Sequence, residues 1–366
     1  MRQTIDDTNE YPKAAPFERA DSQERAFQAV PSTGGRLSGR KKVNVAVLGL
    51  GWWGSKLLRN FCESESFSKV FSFDTNRERT RQALAQWSFE PLRDLAELWQ
   101  RADIHSVAVV TPPETHFDLV RQALEHGKHV MVAKPPAQTT EQVQQLCALA
   151  ESSGLVFMVD SPFAFNPATL AVRQLVQDGL FPNLRFVQSL RYGDDLRLHN
   201  LQRILDLIRI SHIDVIDDLV FHDISLLRTI FEQPLEARSV RRIHILDPDF
   251  CDTAFVELDM GGIPVHIHYS WSLPERRRQL LLFDDEKFLL FDDLKEERKL
   301  EIYRLATKES AFPDYPDEEP LRNEVEHFYS CIARGDNPLT GKDLMLDVMR
   351  TSEQVRQFDP RGGASA

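Results

Sequence analysis

The chain has 366 residues, 42% of them hydrophobic and 27% charged, with a formal net charge of −12. That length exceeds one typical domain, so two are expected, and the acidic balance excludes the basic stripe that a nucleic-acid partner requires. No apolar run reaches membrane-spanning length and the start lacks a signal-peptide core, so no membrane partner is expected and the cytoplasm is the expected location.

Residues 1–42 are polar and hold no helix or strand period, apart from a short helix near Ser22–Val30; they are read as a mobile extension. From Val43 the pattern turns to alternating short apolar strands and amphipathic helices. The strands are Val43–Leu48, Val70–Phe73, Ser106–Val110, His129–Val132 and Val156–Val159. The helices are Trp53–Glu63, Arg77–Gln86, Pro91–Gln100, Glu114–Glu125 and Thr140–Ser152. This alternation predicts a parallel, doubly wound α/β domain over residues 43–160.

The alternation stops near Ser161. A helix at Pro167–Gln177, a strand at Leu184–Arg191 and a helix through Asp218–Phe231 are expected. Consecutive strands follow near Arg238–Ile245, Ala254–Leu258, Val265–Trp271, Arg278–Phe283 and Lys287–Phe291, with hairpin turns at Gly261-Gly262 and Asp284-Asp285. Helices near Pro320–Ala333 and Lys342–Gln357 close the chain. Residues 161–357 thus read as a second α/β domain with an open, largely antiparallel sheet, and residues 358–366 as a tail. Cys62, Cys147, Cys251 and Cys331 form no CxxC pair, so neither a disulfide framework nor a metal site is expected. The short runs Arg40–Lys42 and Arg276–Arg278 read as solvated surface, with the second also suited to a phosphorylated ligand.

Four stations carry chemistry. The first is Gly49-Leu50-Gly51-Trp52-Trp53-Gly54 between strand and helix. Gly49 permits the tight turn, Gly51 lets a pyrophosphate approach the backbone, and Gly54 lets helix and strand pack closely. The helix N-terminus, through Trp52 and Trp53, then faces an anion. Asp74 ends the next strand about 20 residues on, where an acid binds a ribose hydroxyl. A carboxylate there favours NAD; Arg77 nearby leaves NADP open. The second station is Thr111-Pro112-Pro113-Glu114-Thr115-His116, at the carboxyl end of a strand, where Thr111, Pro112 and His116 are placed for nicotinamide-side contact. The third is Lys134, at the end of another strand, suited to stabilising developing negative charge on a substrate oxygen. The fourth is Asp218-Leu219-Val220-Phe221-His222-Asp223. Asp218 and His222 are i and i+4, so a carboxylate sits beside a histidine suited to general acid–base work, and Asp223 points elsewhere, toward substrate hydroxyls.

Together with Phe165–Ala168, Ile267–Trp271 and Pro320–Cys331, these segments resemble the glucose-fructose oxidoreductase / inositol dehydrogenase family, from Val43 to Gln357. Within it the chain is most similar to nucleotide-sugar dehydrogenases. The resemblance implies a Rossmann domain followed by a substrate domain, and a homodimer or homotetramer formed through the C-terminal sheet. It implies hydride transfer between NAD(P) and a sugar or cyclitol hydroxyl, with C3 of an NDP-hexose as the expected site. A keto- or imine reductase and a non-catalytic cofactor-binding sensor or scaffold are the alternatives. The family's Glu-Lys-Pro lysine maps onto Lys134 and its Asp-x-x-x-His pair onto Asp218 and His222. Asn166, Arg191 and Tyr192 fall where substrate is held. Two departures stand out: Ala133 replaces the family's glutamate before Lys134, and Leu196–Asp214 is longer than the family pattern near the substrate mouth.

Overall fold

The computed structural model describes residues 42–193, 213–273 and 275–358. The expectations for residues 1–41, for most of Leu196–Asp214 and for the tail after 358 lie outside the described residues.

The described residues form two sheets. The first contains β1 (Val43–Leu48), β2 (Phe67–Phe73), β3 (Glu90–Pro91), β4 (Ser106–Val109), β5 (His129–Ala133) and β6 (Phe157–Asp160), in the order β3-β2-β1-β4-β5-β6 with every pairing parallel. All residues of β1, β4 and β6 are buried, as parallel strands covered on both faces must be. Helices α1 (Trp52–Glu63), α2 (Arg77–Leu84), α3 (Leu95–Gln100), α4 (His116–Glu125) and α5 (Thr140–Ser152) make the crossovers. Two helix starts fall later than expected. Glu90 and Pro91 pair with β2, and Asp94 caps the Glu97 N–H, so α3 begins only at Leu95. Pro113–Thr115 forms a 3₁₀ turn ahead of α4. The strand order reverses direction between β1 and β4, the crevice where open α/β sheets hold their ligands.

The second sheet is built from β7 (Leu184–Tyr192), β8 (Glu236–Ile243), β9 (Thr253–Met260), β10 (Ile263–Ser270), β11 (Arg277–Asp284), β12 (Lys287–Asp292), β13 (Leu300–Arg304) and β14 (Glu309–Ala311). Its order is β14-β13-β12-β11-β7-β10-β9-β8, antiparallel except where β7 meets β10. Gly261 and Gly262 both take positive φ in the β9–β10 hairpin, as a two-residue turn of that hand requires. Helices α6 (Pro167–Gln177) and α7 (Val215–Phe231) accompany this sheet. A capping box between Asp214 and Asp217 starts α7 three residues ahead of the expected Asp218.

The last two helices, α8 (Pro320–Arg334) and α9 (Lys342–Gln357), tie the sheets together. On α8, buried Phe328 and Tyr329 meet Phe67 of β2 at ring separations of 6.5 and 5.7 Å. Helix α9 packs on α5, α7 and β8. The Thr340 hydroxyl donates to the Val159 carbonyl, whose own N–H is accepted by the Thr340 carbonyl, so the loop before α9 clips β6.

Candidate active site

The glycine loop opens the crevice at the end of β1. Gly49 has φ +93°, and a Cβ there would lie 2.5 Å from the Val110 carbonyl oxygen, so only glycine fits beside the end of β4. A Cβ on Gly54 would meet the Gly49 carbonyl oxygen at 2.0 Å, which fixes how closely α1 approaches the turn. At Gly51 a Cβ would meet nothing within 4 Å. Gly51 is the N-cap of α1 and offers no side-chain oxygen to the helix start. The first α1 N–H groups therefore face an open cradle, the arrangement that takes a pyrophosphate. Asp74 closes the turn: one carboxylate oxygen accepts the Leu50 N–H at 2.6 Å and the other accepts the Asn76 N–H at 2.6 Å. Arg79 adds an ion pair to Asp74 at 3.7 Å, while Arg77 opens α2 as an exposed residue. These residues fit a dinucleotide with its ribose beside Asp74. Trp52 is exposed, with the Lys56 ammonium 3.8 Å from its ring centroid, whereas the Trp53 indole turns inward and donates to Asp160.

At the end of β4 the Thr111 and Thr115 hydroxyls lie 2.6 Å apart. His116 is wholly buried, its ring nitrogens 2.7 Å from the Thr111 carbonyl oxygen and 2.8 Å from that of Pro135. The imidazole thus braces two strand-end loops from beneath. This differs from the expectation of cofactor contact, because both ring nitrogens face main-chain oxygens in the interior.

Lys134 follows β5. Its Nζ donates to the Asp218 main-chain oxygen at 2.9 Å and to the Asp218 carboxylate at 3.1 Å, crossing from the first sheet to α7. One turn on, His222 packs edge-on against Phe163, with centroids 5.1 Å apart. Its Nδ1 is buried without a hydrogen-bond partner among the described residues. Burial, reinforced by the charges of Lys134, Arg191 and Arg278, holds the His222 pKa well below the ordinary imidazole value, so the ring is neutral at neutral pH. The carboxylate at i−4 serves Lys134, not the imidazole.

The remaining expected substrate residues are placed differently. Asp223 is wholly buried; its carboxylate accepts Arg191 Nε at 2.7 Å and the Ser189 hydroxyl at 2.7 Å. Arg191 is itself buried, with its guanidinium 4.6 Å from the Phe163 centroid. Asp223 therefore balances Arg191 under the site and is not free for substrate hydroxyls. Tyr192, next along β7, lies on the opposite face of the sheet, against His268 at 5.2 Å, because successive strand residues alternate faces. Asn166 caps α6 through the Ala168 N–H and donates to Asp293 at 2.9 Å, so its amide is engaged at both ends. Asp293 also receives Arg278 at 3.1 Å.

Phe163 and the buried acid Asp160 are not marked by any sequence pattern, and Arg278 reads from the sequence only as part of a solvated basic run suited at most to a phosphorylated ligand. Phe163 stands beside His222, Arg191 and Arg278, yet Arg278 comes from β11, far along the chain. A groove of about 1920 Å³ lined by Cys147, His327 and Lys342 lies elsewhere and includes none of Lys134, Asp218 or His222. Among the described residues no helix is long and apolar enough to cross a membrane, and no cluster of His, Cys, Asp and Glu could hold a metal ion.

A dinucleotide cradle at the switch point of a parallel sheet, with a lysine at one strand end and a neutral histidine facing it, defines an NAD(P)-dependent oxidoreductase. Residues 43–161 match the model of an oxidoreductase family with an NAD-binding Rossmann fold. The UDP-N-acetylglucosamine 3-dehydrogenase of Acidithiobacillus ferrooxidans is 27% identical over 301 residues, spanning 80% of this chain and 89% of its own length. A solved structure of that enzyme has a TM-score of 0.72 at 23% identity, covering 86% of this chain and 97% of that one. A 3-ketoreductase from Actinomadura kijaniata, solved with TDP-benzene and NADP, has a TM-score of 0.72 at 16% identity over 87% of this chain and 98% of its own. Both structural likenesses bear on the fold.

Proposed function

We propose that this enzyme transfers hydride between NAD(P) and a secondary alcohol or ketone of a sugar, at C3 of a nucleotide-linked hexose. The observation that carries this reading is the Lys134–Asp218 contact, which joins a strand end of the dinucleotide sheet to the helix bearing His222. When bound, the nicotinamide ring accepts or gives the hydride. Neutral His222 takes the hydroxyl proton in the oxidation direction and returns it in reduction. Lys134 donates to the substrate oxygen as negative charge develops on it. Phe163 holds the His222 ring edge-on and limits its rotation. The same groups serve both directions, and the activities of the relatives, a 3-dehydrogenase and a 3-reductase, motivate placing the reaction at C3.

In this reading residues 43–160 act as the dinucleotide domain and residues 161–357 as the substrate domain, working in the cytoplasm as a homodimer or homotetramer. The open face of the second sheet is the proposed contact between copies: Phe255 is exposed there and stacks on His268 at 4.3 Å. Mass spectrometry of ligands retained on purification, with a thermal-shift panel of NAD, NADP and nucleotide sugars, tests the proposal, since a ligand of the folded state raises its apparent stability. Stabilisation by NAD or NADP and by a nucleotide hexose supports it. Stabilisation by neither a dinucleotide nor any nucleotide sugar sinks it.

A further inference from the structure

Beside the cradle lies a pair of acids for which the proposed reaction has no use. Asp160, the last residue of β6, and Glu324, on α8, are both buried. Asp160 Oδ2 accepts the Trp53 indole N–H, and Glu324 Oε1 accepts the Ser161 N–H at 2.7 Å. The second oxygen of each acid, Oδ1 of Asp160 and Oε2 of Glu324, is buried with no donor from another group. Two carboxylates cannot both remain ionised this close in a low-dielectric interior, and one shared proton removes the conflict. Burial pushes both acids upward; Trp53, Glu324 and Lys134 draw Asp160 back, while the charge of Asp160 drives Glu324 well above its ordinary value. The pair therefore holds one proton between its two carboxyl groups, with Glu324 pushed further toward the neutral form.

The place of this charge matters. Asp160 is the register partner of Ala133 on the neighbouring parallel strand, one residue before Lys134. Partners in register point to the same face. Met131 and Met158, two residues earlier on the two strands, pack in one cluster with Leu57 of α1 and Val325 of α8, so Ala133 and Asp160 face that same layer. A glutamate at 133 would bring a third acid against a pair that already holds one charge and one proton. Ser161 extends the connection: its hydroxyl lies 2.7 Å from that of Ser225 on α7, the helix carrying His222.

We propose that Asp160, paired with the buried acid Glu324, is a positioning residue of the dinucleotide site. It fixes the Trp53 indole at the start of α1, and supplies from β6 the negative charge that Ala133 does not place beside Lys134. This rests on the dinucleotide reading of the glycine loop but on no particular substrate, so it can fail while the sugar reading survives, and the reverse.

The test needs no substrate. In protein labelled with ¹⁵N-tryptophan, the Trp53 indole resonance is assigned with Trp53→Phe, and NADH affinity is measured by fluorescence. Asp160→Asn keeps an acceptor oxygen for the indole but removes the charge, so it is expected to move the Trp53 signal and to weaken NADH binding about tenfold, the size expected when a hydrogen bond to a charged acceptor becomes one to a neutral acceptor. Glu324→Gln is expected to keep both near wild type, because its amide still donates to Asp160 and its oxygen still accepts from Ser161. Trp53→Phe is expected to weaken NADH as Asp160→Asn does, which keeps the test decisive if Asp160→Asn fails to fold. Unchanged NADH affinity in Trp53→Phe, an unmoved indole signal in folded Asp160→Asn, or equal damage from Glu324→Gln and Asp160→Asn overturns the proposal.

Discussion

Lys134 and Asp218 meet twice: the ammonium donates to the aspartate main-chain oxygen at 2.9 Å and to its carboxylate at 3.1 Å. The lysine is thereby aimed at α7 by a backbone atom that no side-chain substitution removes. Asp218→Asn should therefore cost much less turnover than loss of either proposed reacting group, Lys134 or His222. Lys134→Ala and His222→Ala are each expected to lower kcat by at least about a hundredfold, the usual scale for lost acid–base or charge-stabilising groups. Asp218→Asn is expected to cost about tenfold. Steady-state kinetics on the three variants checks the ranking; near wild-type kcat in both alanine variants would remove Lys134 and His222 from the chemistry.

The pH profile carries a second expectation. His222 lies well below the usual imidazole range because of burial and then the Lys134, Arg191 and Arg278 charges. A base must be unprotonated to act, so kcat/KM for oxidation should stay on its plateau as pH falls through about 6.5, the unperturbed imidazole value, and drop only further down. Arg278→Met removes one of the repelling cations. Its acid limb is expected to move upward, toward 6.5, because the imidazolium then forms more easily. A limb that stays put in this variant would show that Arg278 does not set the charge of His222.

The glycine loop separates two costs that mutagenesis usually mixes. A Cβ at Gly54 meets a main-chain oxygen at 2.0 Å, whereas a Cβ at Gly51 meets nothing within 4 Å in the protein itself. Gly54→Ala is thus expected to lower Tm as well as cofactor affinity. Gly51→Ala is expected to keep Tm and weaken NAD(H) binding, because the added methyl enters only the space kept for the pyrophosphate. Thermal melts and NADH titrations on the same samples decide this, and full NADH affinity in Gly51→Ala would place the pyrophosphate elsewhere.

What the sequence made legible followed from local pattern. Strands buried on both faces appear as unbroken apolar runs, so β1, β4 and β5 could be located, and with them Lys134 at a strand end. The weaker strands did not stand out: the edge strand β14 carries Glu309, and in its neighbour β13 the charged Glu301 and Arg304 interrupt the buried Leu300 and Ile302, so neither leaves an apolar run. In the site, spacing set Asp218 and His222 on one helical face but could not say that Lys134 would claim the carboxylate. Tyr192 and Arg191 are adjacent in sequence and lie on opposite faces of β7, so a strand-level expectation for both could hold for only one face. Arg278, Asp293 and Glu324 reach their partners from more than a hundred residues away along the chain in several cases, and no local period encodes such meetings.

The Arg191–Asp223 pair gives the last expectation, and it concerns stability before activity. Both side chains are buried, and the carboxylate also accepts the Ser189 hydroxyl. The negative charge of Asp223, after burial itself, pushes the neighbouring Tyr269 phenol well above its ordinary value, so that ring stays protonated. Removing one partner of a buried ion pair strands the other, at a cost of about 3–5 kcal/mol. Asp223→Asn keeps the shape and an acceptor oxygen but leaves the Arg191 charge unbalanced beneath His222. Denaturant unfolding should show that loss, whereas Asp223→Asn in an Arg191→Met background should cost far less than the sum of the single changes, since no charge is then left behind. If Asp223 instead held substrate, the single change would raise KM with stability intact, and the double-mutant coupling would vanish.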